Sequence, residues 1–111
     1  MSDELLSDEP LEILPGELRA RLKDVQLVDV REPWEVETAK IEGSIDIPMQ
    51  QIPASLDKLD AGRPLVVMCH HGGRSLMVTQ WLRQNGFLRA QNLVGGIDVW
   101  AQEIDPSIGR Y

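Results

Sequence analysis

The sequence has a single cysteine, Cys69, in 111 residues. One thiol cannot close an internal disulfide, and it cannot build a multi-cysteine metal site. No apolar run comes near the roughly 18 residues that a membrane span needs. The first residues, Met1-Ser2-Asp3-Glu4, lack the positive region and apolar stretch of a signal peptide. These absences predict a reducing, cytoplasmic compartment and no membrane partner. Positive charge is also scarce: 11 Lys and Arg face 18 Asp and Glu, a net charge of −7. No basic stripe forms, so nucleic acid is not an expected partner. There is no internal repeat and no low-complexity stretch.

What is present fits one domain with one core. Residues 1–10, acidic at Asp3, Glu4, Asp8 and Glu9, read as a flexible N-terminal tail. Residues 11–104 read as the folded domain and residues 105–111 as a C-terminal tail. Short strands are expected at 11–13, 26–30, 44–48, 65–68 and 91–94. Helices are expected from Pro15 to about Leu22, Pro33 to Ala39, Ile52 to Leu59, Leu76 to Asn85, and Ile97 to about Glu103. On the fourth of these, Met77, Val78, Trp81 and Leu82 share a face. Strands alternating with helices predict an α/β fold, a parallel sheet covered on both faces. Ligand sites in such sheets lie beyond the carboxyl ends of the strands.

One loop occupies such an end: Cys69-His70-His71-Gly72-Gly73-Arg74-Ser75, between the apolar run Leu65–Met68 and a helical segment. A strand-to-helix turn gathers backbone N–H groups, and the helix start adds about half a positive charge. With Arg74 nearby, that setting favours a thiolate over a thiol, hence a nucleophile. Gly72 and Gly73 let successive N–H groups converge. Arg74 can hold an anionic group through paired hydrogen bonds, and Ser75 can cap the helix or donate to a sulfur anion. His70 and His71 flank the pocket and help set its electrostatics. A zinc role with Cys69 is disfavoured, because adjacent side chains converge poorly and no further ligand cluster is visible. Asp29 and Arg31 are expected to pair at a strand end beneath the site. The tryptophans at 34, 81 and 100 and the methionines at 68 and 77 read as packing residues, with Met49 close enough to the pocket to line it.

The sequence resembles the rhodanese-like family of single-domain sulfurtransferases. Leu27-Val28-Asp29-Val30-Arg31-Glu32-Pro33-Trp34-Glu35 is similar to the first family signature and Ile41-Glu42-Gly43-Ser44-Ile45-Asp46-Ile47-Pro48 to the second. Cys69 to Ser75 resembles the active loop, and Asn92-Leu93-Val94-Gly95-Gly96-Ile97-Asp98-Val99-Trp100 the closing signature. The resemblance implies a parallel sheet of about five strands with helices on both faces. It implies that Cys69 takes a sulfane sulfur from a donor such as thiosulfate, holds it as a persulfide, and yields it to cyanide, a thiol or a protein. No metal and no organic cofactor is implied. Related arsenate reductases and dual-specificity cell-cycle phosphatases have five residues between cysteine and arginine. Here there are four, His70 to Gly73, the sulfurtransferase length. Many relatives have histidine where this chain has Lys40. The segment from Ile104 resembles tails of rhodanese domains fused to sulfur-carrier activating enzymes. That resemblance points to an alternative, a protein-docked relay or regulatory module with little activity on small donors.

Overall fold

The computed structural model describes residues 9–111. Five strands form one fully parallel sheet in the order β1-β5-β4-β2-β3. They are β1 (Glu12–Ile13), β2 (Gln26–Asp29), β3 (Ile45–Asp46), β4 (Leu65–Met68) and β5 (Ala90–Leu93). The helices are α1 (Pro15–Arg21), α2 (Pro33–Thr38), α3 (Gly73–Gln84) and α4 (Gly96–Glu103). The expected α/β architecture is therefore observed, with β4 at the centre of the sheet.

β4 reads Leu-Val-Val-Met because both of its faces are covered, and all four residues are buried. Alternation along it divides the core in two. Leu65, Val67 and Cys69 pack with Val28, Val78 and Leu82 on one face. Val66 and Met68 pack with Leu18, Leu93, Ile97 and Trp100 on the other. Burying each of these large side chains contributes about 1.5–3 kcal/mol before the entropy cost of ordering it. Cys69 is thus the last residue of the α3-side core, carried just past the carboxyl end of the central strand.

Three expectations need correction. The helix expected over Ile52–Leu59 is an irregular 3₁₀ winding over Met49–Lys58, with a kink at Ser55. Pro53 lies within it and supplies no N–H, which breaks regular α-helical bonding. The inner face of α3 is Ser75, Val78, Thr79 and Leu82, and Met77 is 60% exposed. The helix is turned so that Ser75 faces inward, and Thr79 satisfies its own hydroxyl on the Ser75 carbonyl at 2.8 Å. Trp34 is likewise on the surface, 62% exposed.

Of the expected N-terminal tail, residues 1–8 lie outside the described residues. Glu9 and Pro10 are held through their carbonyl oxygens, each 2.9 Å from Arg83 Nη2. The segment 105–111 folds back on the domain: Asp105 starts a turn of 3₁₀ helix, Pro106–Ile108, and Ile108 and Tyr111 pack against the α4-side core. No described helix is long and apolar enough to cross a membrane.

Candidate active site

The loop after β4 curls so that Cys69 Sγ sits under three donors. Gly72 N–H lies 3.1 Å from the sulfur, Ser75 N–H 3.3 Å and Ser75 Oγ 3.2 Å. The curl requires Gly72, whose φ of 108° lies in the left-handed region. α3 begins at Gly73, three residues before the expected start, which draws Ser75 into the first turn. Ser75 therefore does not cap the helix; its hydroxyl oxygen lies between the sulfur and Asn92.

Behind Ser75 stands Asn92 on β5, buried, with its Oδ1 hydrogen-bonded to Ser75 Oγ. Asn92 Nδ2 donates to the Gly72 carbonyl at 3.2 Å and to Glu12 Oε2 at 3.0 Å. Ser75 has one hydroxyl hydrogen, so it can donate to sulfur or to Asn92, not to both. With a thiol, the S–H can donate to Ser75 while Ser75 donates to Asn92. With a sulfur anion, the hydroxyl can turn to the sulfur. Reading the sequence did not single out Asn92 as a site residue. Its signal was a polar side chain inside a short strand that is otherwise sheltered.

The loop carbonyls are held from the other side by α4. Ile97 N–H donates to the Cys69 carbonyl at 2.9 Å, and Asp98 N–H to that of His70 at 3.1 Å. Gly96 makes this approach possible: its φ is 62°, and a Cβ there would run into the carbonyl oxygens of Cys69 and His70.

Arg74 is committed to a carboxylate. Its Nη1 and Nη2 donate to Glu35 Oε1 and Oε2 at 2.8 and 2.9 Å, a bidentate pair. Arg74 hydrogen bonding is the main reason the Glu35 carboxyl is held down, from its ordinary 4.5 to about 2, against the opposing effect of burial. The same bond raises the Arg74 guanidinium further above its usual range. Glu35 Oε1 also accepts the Glu32 N–H at 3.0 Å, which pins the start of α2. The expectation that Arg74 holds an anionic ligand by paired bonds thus meets an arginine whose paired bonds are already made.

Asp29 and Arg31 pair as expected. Arg31 Nη2 lies 2.7 Å from Asp29 Oδ2, and neither side chain is exposed. Arg31 also donates to the carbonyls of Glu35 at 3.2 Å and Ala39 at 2.6 Å, and to Tyr111 Oη at 2.9 Å. It ties together the end of β2, the turns of α2 and the C-terminal segment. An arginine this deep does not reach the pocket mouth.

Tyr111 is a further residue that sequence reasoning missed. Its hydroxyl accepts from Arg31 and donates to Glu35 Oε2 at 2.8 Å, while its ring stacks on His70. Burial, followed by the charge of His71, pushes the His70 imidazole below its usual pKa. His71 is exposed, 3.9 Å from Asp98 Oδ2, and Asp98 also takes Arg110 at 2.9 Å. Lys40 sits at the surface 3.6 Å from Asp46, away from the sulfur cradle. Met49 lines a groove of about 210 Å³ with Ile52, Pro53, Met77, Val78 and Trp81. Among the described residues, no three His, Cys, Asp or Glu side chains are grouped as metal ligands.

A parallel α/β domain with a lone thiol under backbone donors at a strand-to-helix turn defines a class of cysteine-centred anion-cradle proteins. Within that class the chain belongs to the rhodanese-like domain family, which it matches over residues 14–103. It is 37% identical over 83 residues to a sulfurtransferase of Allochromatium vinosum, covering 75% of this chain and 78% of that protein. It is 37% identical over 105 residues to the chloroplastic Rhodanese-like/PpiC domain-containing protein 12 of Arabidopsis thaliana. That match covers 86% of this chain but spans only 35% of the plant protein. The crystal structure of a rhodanese-related protein from Thermoplasma volcanium superposes with a TM-score of 0.80 at 32% identity, covering 86% of this chain and 94% of that one.

Proposed function

We propose that this domain is a sulfurtransferase that carries a sulfane sulfur on Cys69. The observation that supports this most is the cradle itself: three donors within 3.3 Å of Sγ, on a loop of the rhodanese-like type. In the first step the Cys69 thiolate attacks the outer sulfur of thiosulfate or of a persulfide. The donor's S–S bond breaks, and sulfite or a thiolate leaves with the electron pair. Cys69 is left as a persulfide whose terminal sulfur anion receives the N–H groups and the Ser75 hydroxyl. In the second step a nucleophilic acceptor, such as cyanide, a thiol or a protein thiol, attacks that terminal sulfur and releases the Cys69 thiolate. His70, His71, Gly72, Gly73, Arg74 and Ser75 form the wall of this site, and Asp29 with Arg31 its foundation. The chemistry requires neither metal nor organic cofactor. A reducing compartment such as the cytoplasm would keep Cys69 available.

A second reading has specific support. Trp34 and Met77 are exposed at 62% and 60%. Trp34 packs edge-on against Tyr111, which stacks on His70 of the loop, and Met77 follows the last loop residue, Ser75, by two positions. Two exposed apolar side chains beside the loop suit a partner protein that docks and exchanges sulfur directly. Thiocyanate formation from cyanide decides between the readings. Turnover with thiosulfate or a small persulfide, abolished in Cys69→Ser, supports the enzyme. Turnover only with a persulfide-loaded cysteine desulfurase supports the docked relay. Full turnover by Cys69→Ser overturns both.

A further inference from the structure

Charge pairing around the loop bears on which donor the site accepts. Arg74, the arginine of the loop, is already matched by Glu35 at 2.8 Å, and the two arginines further out are matched as well, Arg31 by Asp29 at 2.7 Å and Arg110 by Asp98 at 2.9 Å. The remaining cationic candidates are His70, which burial disfavours as a cation, and exposed His71, which faces Asp98. Among the described residues around the loop, no arginine is left without a carboxylate. What the cradle offers a sulfur anion is neutral: two N–H groups and one hydroxyl. Dipoles of that kind stabilise about one negative charge in a sheltered site. The chain as a whole carries a net charge of −7, which adds a repulsive field.

We infer that Glu35 is a specificity-determining residue: by neutralising Arg74 it tunes the loop against dianionic thiosulfate and toward persulfide donors, which bring at most one charge at the reacting sulfur. The inference rests on the sulfurtransferase reading above and narrows its donor class. Attack on thiosulfate brings a thiolate and a dianion together, three negative charges in all, and ends with a Cys69 persulfide anion and sulfite. Attack on a persulfide R–S–SH brings a thiolate to a neutral or singly charged group. The outer sulfur, with its proton if it carries one, forms a bond to Cys69 Sγ, the donor's S–S bond breaks, and R–S⁻ leaves with the electron pair. Both steps balance without an added oxidant or reductant. Only the first needs an unmatched cation to offset the crowding of charge, and Glu35 has removed the nearest one.

The test is the second-order rate at which the whole protein gains one sulfur, followed by intact mass, with thiosulfate and with cysteine persulfide as probes. The two donors differ in intrinsic reactivity, so the informative quantities are changes in their ratio. Glu35→Gln removes the negative charge and frees Arg74. Loading from thiosulfate is expected to rise about tenfold, while loading from cysteine persulfide changes less than about twofold. Because Glu35 is buried and its replacement can disturb folding, the wild-type salt response provides a second arm. Screening of a repulsive site makes thiosulfate loading faster as salt is raised, whereas an attractive cationic site makes it slower. An unchanged donor ratio in folded Glu35→Gln, or thiosulfate loading that slows with salt, overturns the inference while leaving the sulfurtransferase reading intact. Failure of Cys69 to gain sulfur from either donor overturns both.

Discussion

Tyr111 and His70 lie face to face, their ring centroids 4.0 Å apart and their planes 8° from parallel. The contact joins residues 41 positions apart and brings the C-terminal segment onto the active loop. Its consequence is energetic as well as geometric. The same tyrosine hydroxyl closes a chain from Asp29 through Arg31 to Glu35 and Arg74. Tyr111→Phe keeps the stack but leaves Arg31 short of an acceptor and Glu35 short of a donor. We expect a loss of about 1–2 kcal/mol, read as a lower urea midpoint at unchanged slope. A midpoint equal to wild type would show that the hydroxyl adds nothing.

Ser75 is the only side chain that donates to the sulfur among the described residues. Removing one donor from a preorganised anion site commonly costs about a hundredfold in rate. Ser75→Ala is expected to slow sulfur loading of Cys69 by about that factor, measured by stopped sampling and mass. Its backbone N–H remains, so loading should persist at the reduced rate. A loading rate within about twofold of wild type would remove the hydroxyl from the account.

Two glycines near the loop should respond oppositely to alanine. Gly96→Ala forces a side chain into a left-handed position and against the carbonyls of Cys69 and His70. We expect at least about 2–3 kcal/mol of destabilisation. At Gly73 an added Cβ meets nothing within 4 Å, and φ is ordinary. Gly73→Ala should be neutral or stabilising by up to about 1 kcal/mol, through the unfolded chain. Equal losses in thermal melts of the two variants would contradict the packing of α4 on the loop.

Glu35 gives the domain a defined acid sensitivity. Its carboxyl is held near 2 in the folded protein against an ordinary 4.5. The folded value is the lower one, so the stability it contributes is present above 4.5 and is lost as pH falls toward 2. The contribution is on the order of 3 kcal/mol. In urea denaturation from pH 6 to pH 2, Glu35→Gln should show a shallower fall than wild type. Parallel curves would place the acid sensitivity elsewhere.

Much of this was legible in the sequence for local reasons. Leu27, Val28 and Val30 supply apolar and β-branched residues to one strand, and the run Leu65–Met68 is wholly apolar and follows the turn Gly62-Arg63-Pro64, so both strands were clear. The loop Cys69–Ser75 announced itself through its cysteine, paired glycines and arginine. What was hidden depends on partners distant in the chain. Asn92 looks like an ordinary strand residue until Ser75 turns toward it. Glu35 reads as one acid on a short helix, and only the approach of α2 to the loop makes it the partner of Arg74. Tyr111 lies in a segment with no periodic pattern, and its role comes from stacking and two hydrogen bonds across 76 and 80 residues. The face of α3 was misread by the same logic. Hydrophobic spacing grouped Met77 with Val78, Trp81 and Leu82; the last three do pack on the core, but Met77 is turned out and Ser75 and Thr79 are turned in.

The central claim is that Cys69 carries the transferred sulfur. Its most direct test is peptide mass mapping of the full chain after exposure to thiosulfate or cysteine persulfide, then to cyanide. The account predicts one added sulfur on the Cys69 peptide, lost on cyanide with formation of thiocyanate, and none in Cys69→Ser. An unmodified Cys69 peptide after both donors, or sulfur transfer undiminished in Cys69→Ser, would contradict it.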